Sequence, residues 1–158
     1  MIKPTVVHAT TVVARHFANV APGVVFAAWE ELAQRAQWDL PGNEWVLAQM
    51  EIDFRVGGRE LTRFGPKDDP RYWSAGEYLD IVPNERIVTA GTMHSDSARI
   101  SATLCTIEFA REANGTRLVL TDQSAFFDGA ESPDDRRAGW GEILDRLVRF
   151  IEGRGSRH

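Results

Sequence analysis

The chain has one cysteine, Cys105, so no disulfide can form within it, and the fold has to be held by its core. This suits a reducing compartment. No stretch approaches the ~20 consecutive apolar residues that a membrane-crossing helix needs. The segment Met1–Phe17 alternates apolar and polar residues and has no signal-peptide core. A cytoplasmic location is therefore expected. There is no positive excess either: 18 Lys and Arg face 23 Asp and Glu, for a formal net charge of −5. An acidic chain repels a phosphate backbone, and no Lys/Arg run offers itself to anionic lipid. Nucleic acid and membrane are thus not expected partners.

Catalytic and metal signatures are missing as well. There is no G-x-x-x-x-G-K-[ST] loop, so no ATPase site is expected, and no H-E-x-x-H, C-x-x-C or G-x-S-x-G. The histidines are His8, His16, His94 and His158. His8 and His16 share a strand phase but stand roughly 26 Å apart along it, too far to chelate one ion. No metal site and no cofactor are expected. Repeats, linkers and low-complexity segments are also absent, and 158 residues suit one domain with its core at about residues 5–152.

What is present is a body of apolar residues, 43% of the chain, with five tryptophans and eight phenylalanines. Residues 5–17 are rich in Val and Thr, which suit a strand. Pro22 sits well in the first turn of a helix that carries Val25, Phe26, Trp29 and Leu32, and a second short helix follows over Ala33–Trp38. Residues 44–56 alternate cleanly, with Met50, Ile52, Phe54 and Val56 on one face and Glu51, Asp53 and Arg55 on the other. Gly57-Gly58 reads as a two-residue hairpin turn into a strand over Arg59–Phe64. Strands follow at about 72–82, 86–94, 98–110 and 116–126, joined by short turns, which implies an antiparallel meander.

The last helix is the best signalled. Ser132 is a good N-cap, Pro133 fits the first helical position, and Asp134 and Asp135 complement the dipole. Trp140, Ile143, Leu144, Leu147, Val148 and Ile151 form an apolar stripe. Glu142–Arg146 and Asp145–Arg149 have the spacing of i,i+4 pairs, Gly153 reads as the stop, and Arg154–His158 as a frayed tail. The fold class is α+β, a bent antiparallel sheet covered on one face by the long helix.

Four stretches in this order resemble a known family. They are Ala21-Pro22 with Val25–Trp29; Asp53–Gly58; Gly76–Pro83 with Glu85–Ile87; and Gly115–Leu118 with Phe127–Gly129 and Gly139-Trp140. The resemblance, over about residues 10–152, is to the SRPBCC (START-like, helix-grip) superfamily, in its branch of activator-of-heat-shock-protein-ATPase homologues. It implies a seven-stranded sheet gripping the C-terminal helix, and an apolar cavity between them used across the superfamily for hydrophobic molecules.

On that basis Trp38, Met50, Phe54, Tyr78, Met93, Phe127 and Trp140 are candidate cavity walls, the alternative being ordinary close-packed core. Three polar residues are candidates for proton transfer. Glu77 shares a phase with Trp73, Ala75, Leu79 and Ile81, so it is a partly buried carboxylate if that face is the inner one and a surface residue if it is not. Asp122 follows Leu118 and Leu120 in phase near a strand end, and His94 ends a strand. Asp53 and Arg55 read as a surface ion pair, and Cys105 as a small buried hydrophobe. The leading functional reading is binding of a small hydrophobic ligand. The second is a small enzyme of cyclase, dehydratase or hydrolase type using the same cavity. The third is a partner-binding module, a chaperone cofactor or a homodimer.

Overall fold

The computed structural model describes residues 5–155. Its elements run β1 (Val6–Phe17), α1 (Pro22–Glu30), α2 (Leu32–Trp38), β2 (Trp45–Ile52), β3 (Arg59–Pro66), β4 (Tyr72–Val82), β5 (Arg86–Ser95), β6 (Ala98–Glu112), β7 (Gly115–Phe127) and α3 (Pro133–Gly155). The strands form one antiparallel sheet in the order β1-β7-β6-β5-β4-β3-β2. Six of them are thus a plain meander, and β1 closes the far edge against β7, pairing Val6 with Phe127 and Phe17 with Thr116. This is the helix-grip architecture expected from the sequence. Among the described residues no helix is long and apolar enough to cross a membrane.

Strand alternation sets the two faces of the sheet. On β7, Leu118, Leu120, Asp122, Ser124 and Phe126 are buried, with Arg117 and Gln123 exposed between them. The inner face carries the core, in which Val25, Phe26, Trp29, Trp38, Leu144 and Leu147 are buried. Val12, Leu79 and Leu104 lie exposed on the outer face. Aromatic edges lock the helices down, with Phe26 meeting Phe109 at 5.4 Å and Phe54 at 5.7 Å between ring centroids. The indole N–H of Trp38 donates to the Ala28 carbonyl at 3.2 Å. Trp29 Nε1 is, among the described residues, a buried donor without a partner.

The second strand is shorter than the alternation implies. β2 ends at Ile52, and Asp53–Gly58 form a compact turn in place of a two-residue hairpin. Asp53 N donates to Arg59 O at 2.9 Å, Arg55 N to Asp53 O at 2.9 Å, and Gly58 N to Arg55 O at 2.8 Å. Phe54 keeps the apolar rhythm because it still packs inward against Tyr78, although the backbone has left the sheet. Gly57 has φ 85°, and a Cβ on Gly58 would lie 2.0 Å from the Asp53 carbonyl oxygen, so the turn demands both glycines. The Asp53–Arg55 pair forms at 2.8 Å on the surface, where such a bridge contributes little.

The long helix is capped reciprocally. Asp135 N donates to Ser132 Oγ at 3.0 Å, and Ser132 N donates to Asp135 Oδ2 at 3.1 Å. It runs past Gly153 to Gly155, since Gly153 is not among the glycines with positive φ and so does not stop it. Of the expected frayed tail, residues 154 and 155 are thus helical, while 156–158, with His158, lie outside the described residues. The expected i,i+4 pairs give way to tertiary bonds. Glu142 accepts from Gly42 N at 2.9 Å, Arg146 donates to Asn43 Oδ1 at 2.9 Å, and Asp145 accepts from Arg15 on β1 at 2.9 Å. These charges dock the helix onto the body instead of decorating its surface.

A cavity between the sheet and the long helix

Helix α3 lies chiefly against β1, α1 against β6 and β7, and α2 against β2 and α3. The two ends of the sheet are therefore covered more closely than its middle. Over the middle strands a cavity of about 490 Å³ opens. Trp140 and Ile143 of α3 close it on one side, and Tyr78, Ile87, Met93 and Ile107 wall it from the sheet.

Two charged clusters border this space. In the first, Arg35 of α2 donates from Nε to Asp39 at 2.9 Å and from Nη1 to Glu60 Oε2 at 2.8 Å and Tyr78 Oη at 3.1 Å. The Tyr78 hydroxyl donates to the same Glu60 oxygen at 2.7 Å. Burial opposes the charge on Arg35, but the carboxylates of Glu60 and Asp39 outweigh it and raise its pKa. The two acids move in opposite directions although they share this arginine. Burial raises Asp39, and Arg35 only partly offsets it. Burial also pushes Glu60 up, but the Arg35 charge with the Tyr78 and Arg35 hydrogen bonds brings it below its usual value. The difference follows from geometry, because Glu60 receives two donors on one oxygen and Asp39 a single one. Burial pushes the Tyr78 hydroxyl well up, so it is neutral and donates.

In the second cluster, Arg136 in the first turn of α3 reaches down to β6 and β7. It donates to Ser101 at 2.9 Å, Thr103 at 2.9 Å, Asp122 at 3.0 Å, Ser124 at 3.0 Å, and Glu131 at 2.6 and 2.8 Å. Trp140 Nε1 donates to Asp122 Oδ2 at 2.8 Å, and Ser124 Oγ donates to Asp122 Oδ1. Burial opposes the Arg136 charge, and the bond to Glu131 with the Asp122 and Glu131 charges overcomes it, so its pKa rises.

The residues singled out from sequence divide. Tyr78, Met93, Trp140 and Asp122 border the cavity. Trp38, Met50, Phe54 and Phe127 do not. Trp38 is enclosed beside Trp29 at 4.6 Å, and Phe54 packs on Phe26 and Tyr78. Met50 pairs with Thr62 near the open edge of the sheet, and the inward aromatic at the end of β7 is Phe126, not its half-buried neighbour Phe127. Glu77 is exposed beside exposed Leu79, so its face is the outer one and it cannot act in the cavity. Asp122 is no solvated strand end but a buried anion with both oxygens occupied. Cys105 borders the cavity, and burial pushes its thiol well up, so it is a small inert hydrophobe. Among the described residues no three His, Cys, Asp or Glu side chains are grouped to hold a metal ion.

His94 lies on the outer face, its ring stacked on Trp73 at 3.6 Å and its Nε2 at 3.0 Å from Thr92 Oγ1. The residue is 8% exposed, yet the covering is essentially one indole layer, so its pKa is lowered by modest burial and then by Arg99. A histidine with a depressed folded pKa leaves the unfolded chain binding more protons between the two values. Its contribution to stability is therefore complete above its unfolded pKa of about 6.5 and is lost as pH falls through the folded value. Urea midpoints measured from about pH 7 down to pH 5 should fall more steeply for the native chain than for His94→Gln. Parallel curves would remove His94 from this role.

Sequence reading did not find Arg35, Glu60, Arg136 or Glu131. Two signals were there. Glu60 shares its phase with Thr62 and Phe64, against exposed Arg59 and Arg63. Arg136 is a cation in the first turn of a helix, where the dipole disfavours it, in phase with Trp140 and Ile143.

Comparison with known proteins places the chain in a defined group. The family described as Activator of Hsp90 ATPase homolog 1-like protein matches residues 19–152. An uncharacterised protein from Rhizobium leguminosarum is 36% identical, with a TM-score of 0.85 over 94% of this chain and 97% of that one. The protein Mll3558 from Rhizobium loti is 35% identical, with a TM-score of 0.83 over 93% of this chain and 99% of that one. An AHSA1-like protein from Aeromonas hydrophila is 22% identical, with a TM-score of 0.73 over 95% and 97%, a likeness of fold. No curated protein matches the sequence.

Proposed function

Since this chain belongs to the Activator of Hsp90 ATPase homolog 1-like family, itself part of the SRPBCC superfamily, we propose that it binds a small, mainly apolar organic molecule between the sheet and α3. The observation that carries this is the cavity of about 490 Å³, walled by aromatic and aliphatic side chains and bordered by two clusters of charged groups. That is the size and lining of a site for a small organic ligand. Of the three groups read from the sequence as proton-transfer candidates, a role that needs a positioned group free to take or give a proton, Glu77 and His94 face away and Asp122 has both oxygens engaged. Binding, which asks only for the cavity, is therefore the leading reading.

Native mass spectrometry of freshly purified protein should reveal a co-purifying small molecule. A direct probe is phenylbutanol, followed by tryptophan fluorescence and calorimetry. Thr89 borders the cavity from β5. Thr89→Phe would fill it and should weaken phenylbutanol at least about tenfold, which is the loss of roughly 1.4 kcal/mol of contact. Equal affinity in the two proteins would place the ligand elsewhere and count against the cavity.

A further inference from the structure

We propose that the ligand carries a protonated amine, held by Asp39 and Glu60, with an apolar body running along Thr62 and Ser74 to a stack of Trp45, Phe64 and Tyr72. This deepens the binding reading and rests on it.

The argument begins with charge. The side chains bordering the cavity include two cations, Arg35 and Arg136, and five anions, Asp39, Glu60, Asp122, Glu131 and Asp135. Asp135 is exposed and occupied in capping α3, so it can be set aside. What remains is two clusters, each with one guanidinium between two carboxylates. A buried anion without its own counter-charge is costly, by several kcal/mol. In neither cluster do the salt bridges among the described residues supply a second cation.

Hydrogen bonding says which cluster is open. Around Arg136 every carboxylate oxygen is taken: both of Asp122 and both of Glu131. Around Arg35 the bonds fall on Glu60 Oε2 and Asp39 Oδ2. Glu60 Oε1 and Asp39 Oδ1 receive none among the described residues. They are acceptors on the residues that border the cavity, and an ammonium has donors and charge for both. Among the described residues Arg35 Nη2 donates no hydrogen bond, which suits an uncharged oxygen on the same ligand. A carboxylate there would meet Asp39 and Glu60 as like charges.

The strand register supplies the rest of the track. On the inner face β3 pairs Glu60 with Gly76, Thr62 with Ser74 and Phe64 with Tyr72 of β4. An acid, a pair of hydroxyls and a pair of aromatics therefore follow one another over roughly 13 Å of strand. At the far end Trp45 stacks on Tyr72 at 5.3 Å and 14°, and Phe64 meets Tyr72 at 5.9 Å. Beside Glu60 the floor is bare, because Gly76 pairs onward with Gly91 of β5. The space next to the acid is thus open while the far end offers aromatic faces.

Calorimetry with three probes of one skeleton, phenylbutylamine, phenylbutanol and phenylbutyrate, at about pH 7 and low salt tests this. The amine should bind roughly tenfold more tightly than the alcohol, and the butyrate most weakly, since a charge-assisted hydrogen bond is worth about 1.5–3 kcal/mol. Glu60→Gln and, separately, Asp39→Asn, each checked for folding by circular dichroism, should bring the amine-to-alcohol ratio towards one. Butyrate binding as well as the amine, a native ratio of one, or a ratio unmoved by both substitutions would overturn the amine. In each case alcohol binding would leave the cavity reading intact, whereas no binding by any of the three would sink both.

Discussion

Replacing Arg136 by Leu should lower the stability of the fold by about 3–5 kcal/mol, the cost of breaking a buried ion pair by removing one partner. For a chain of this size that corresponds to a fall in melting temperature on the order of 10 °C. Three observations set the expectation high. Asp122 is 1% exposed and Arg136 8%, so the substitution leaves a buried carboxylate without its counter-charge. The guanidinium also donates to Ser101, Thr103 and Ser124; the last two keep their mutual bond at 2.7 Å, whereas Ser101 loses the side-chain partner it has here. It further lies over the Phe126 ring at 5.1 Å, so it packs as well as pairs.

A second variant separates charge from packing. Arg136→Leu combined with Asp122→Asn removes the stranded anion while keeping its shape. It should recover part of the loss, with the remainder measuring the lost Arg136 bonds, that to Ser101 above all, and any change at the bond to Trp140. Urea unfolding of the three proteins gives all the numbers. A loss below about 1 kcal/mol for Arg136→Leu would mean the cluster behaves as a surface pair.

That cluster also shows where sequence reading reaches its limit. Element order, the strands and the α3 cap are written in short-range patterns, such as period-two alternation and Ser132-Pro133-Asp134-Asp135. The cavity is not local. Met50 and Phe54 stand on the correct apolar phase, yet whether such a side chain borders a void depends on where the helices settle. Helix α1 seats Phe26 against Phe54 and Phe109 and fills that region, whereas beside Ser74 and Tyr78 of β4 and Ile87 and Met93 of β5 the cavity stays open. The polar clusters were less legible still, because their members are far apart in sequence. Arg35 meets Tyr78 across 43 positions and Arg136 meets Ser101 across 35. Each looks like an ordinary surface residue until its partner is known. Glu77 fails for the opposite reason. Its neighbours in phase are apolar, but β4 carries an irregularity between Tyr78 and Asp80, and its outer face displays Leu79 to solvent. An apolar phase is therefore a weak guide on a sheet whose outer face is itself partly apolar.

Gly91→Ala should be nearly as damaging, through backbone alone. A Cβ at Gly91 would stand 2.2 Å from the Ala75 carbonyl oxygen and 2.7 Å from Gly76 Cα. Both are main-chain atoms of the paired strand, so no rotamer change relieves the overlap. Strand β4 would have to move away from β5 in the middle of the sheet. A loss of roughly 3 kcal/mol, at the upper end of what overpacking costs, is expected in urea unfolding. Its register partner makes the control. A Cβ at Gly76 would meet the Ala90 oxygen at 3.4 Å and the Glu60 side chain at 3.6 Å, ordinary contacts. Gly76→Ala should therefore cost less than about 1 kcal/mol. Equal losses at the two positions would show that these glycines serve backbone freedom, and unequal losses that Gly91 is required by the close approach of β4 and β5. That approach keeps the strands paired where the floor beside Glu60 is bare, so the same glycine that the sheet needs for contact leaves the cavity its depth.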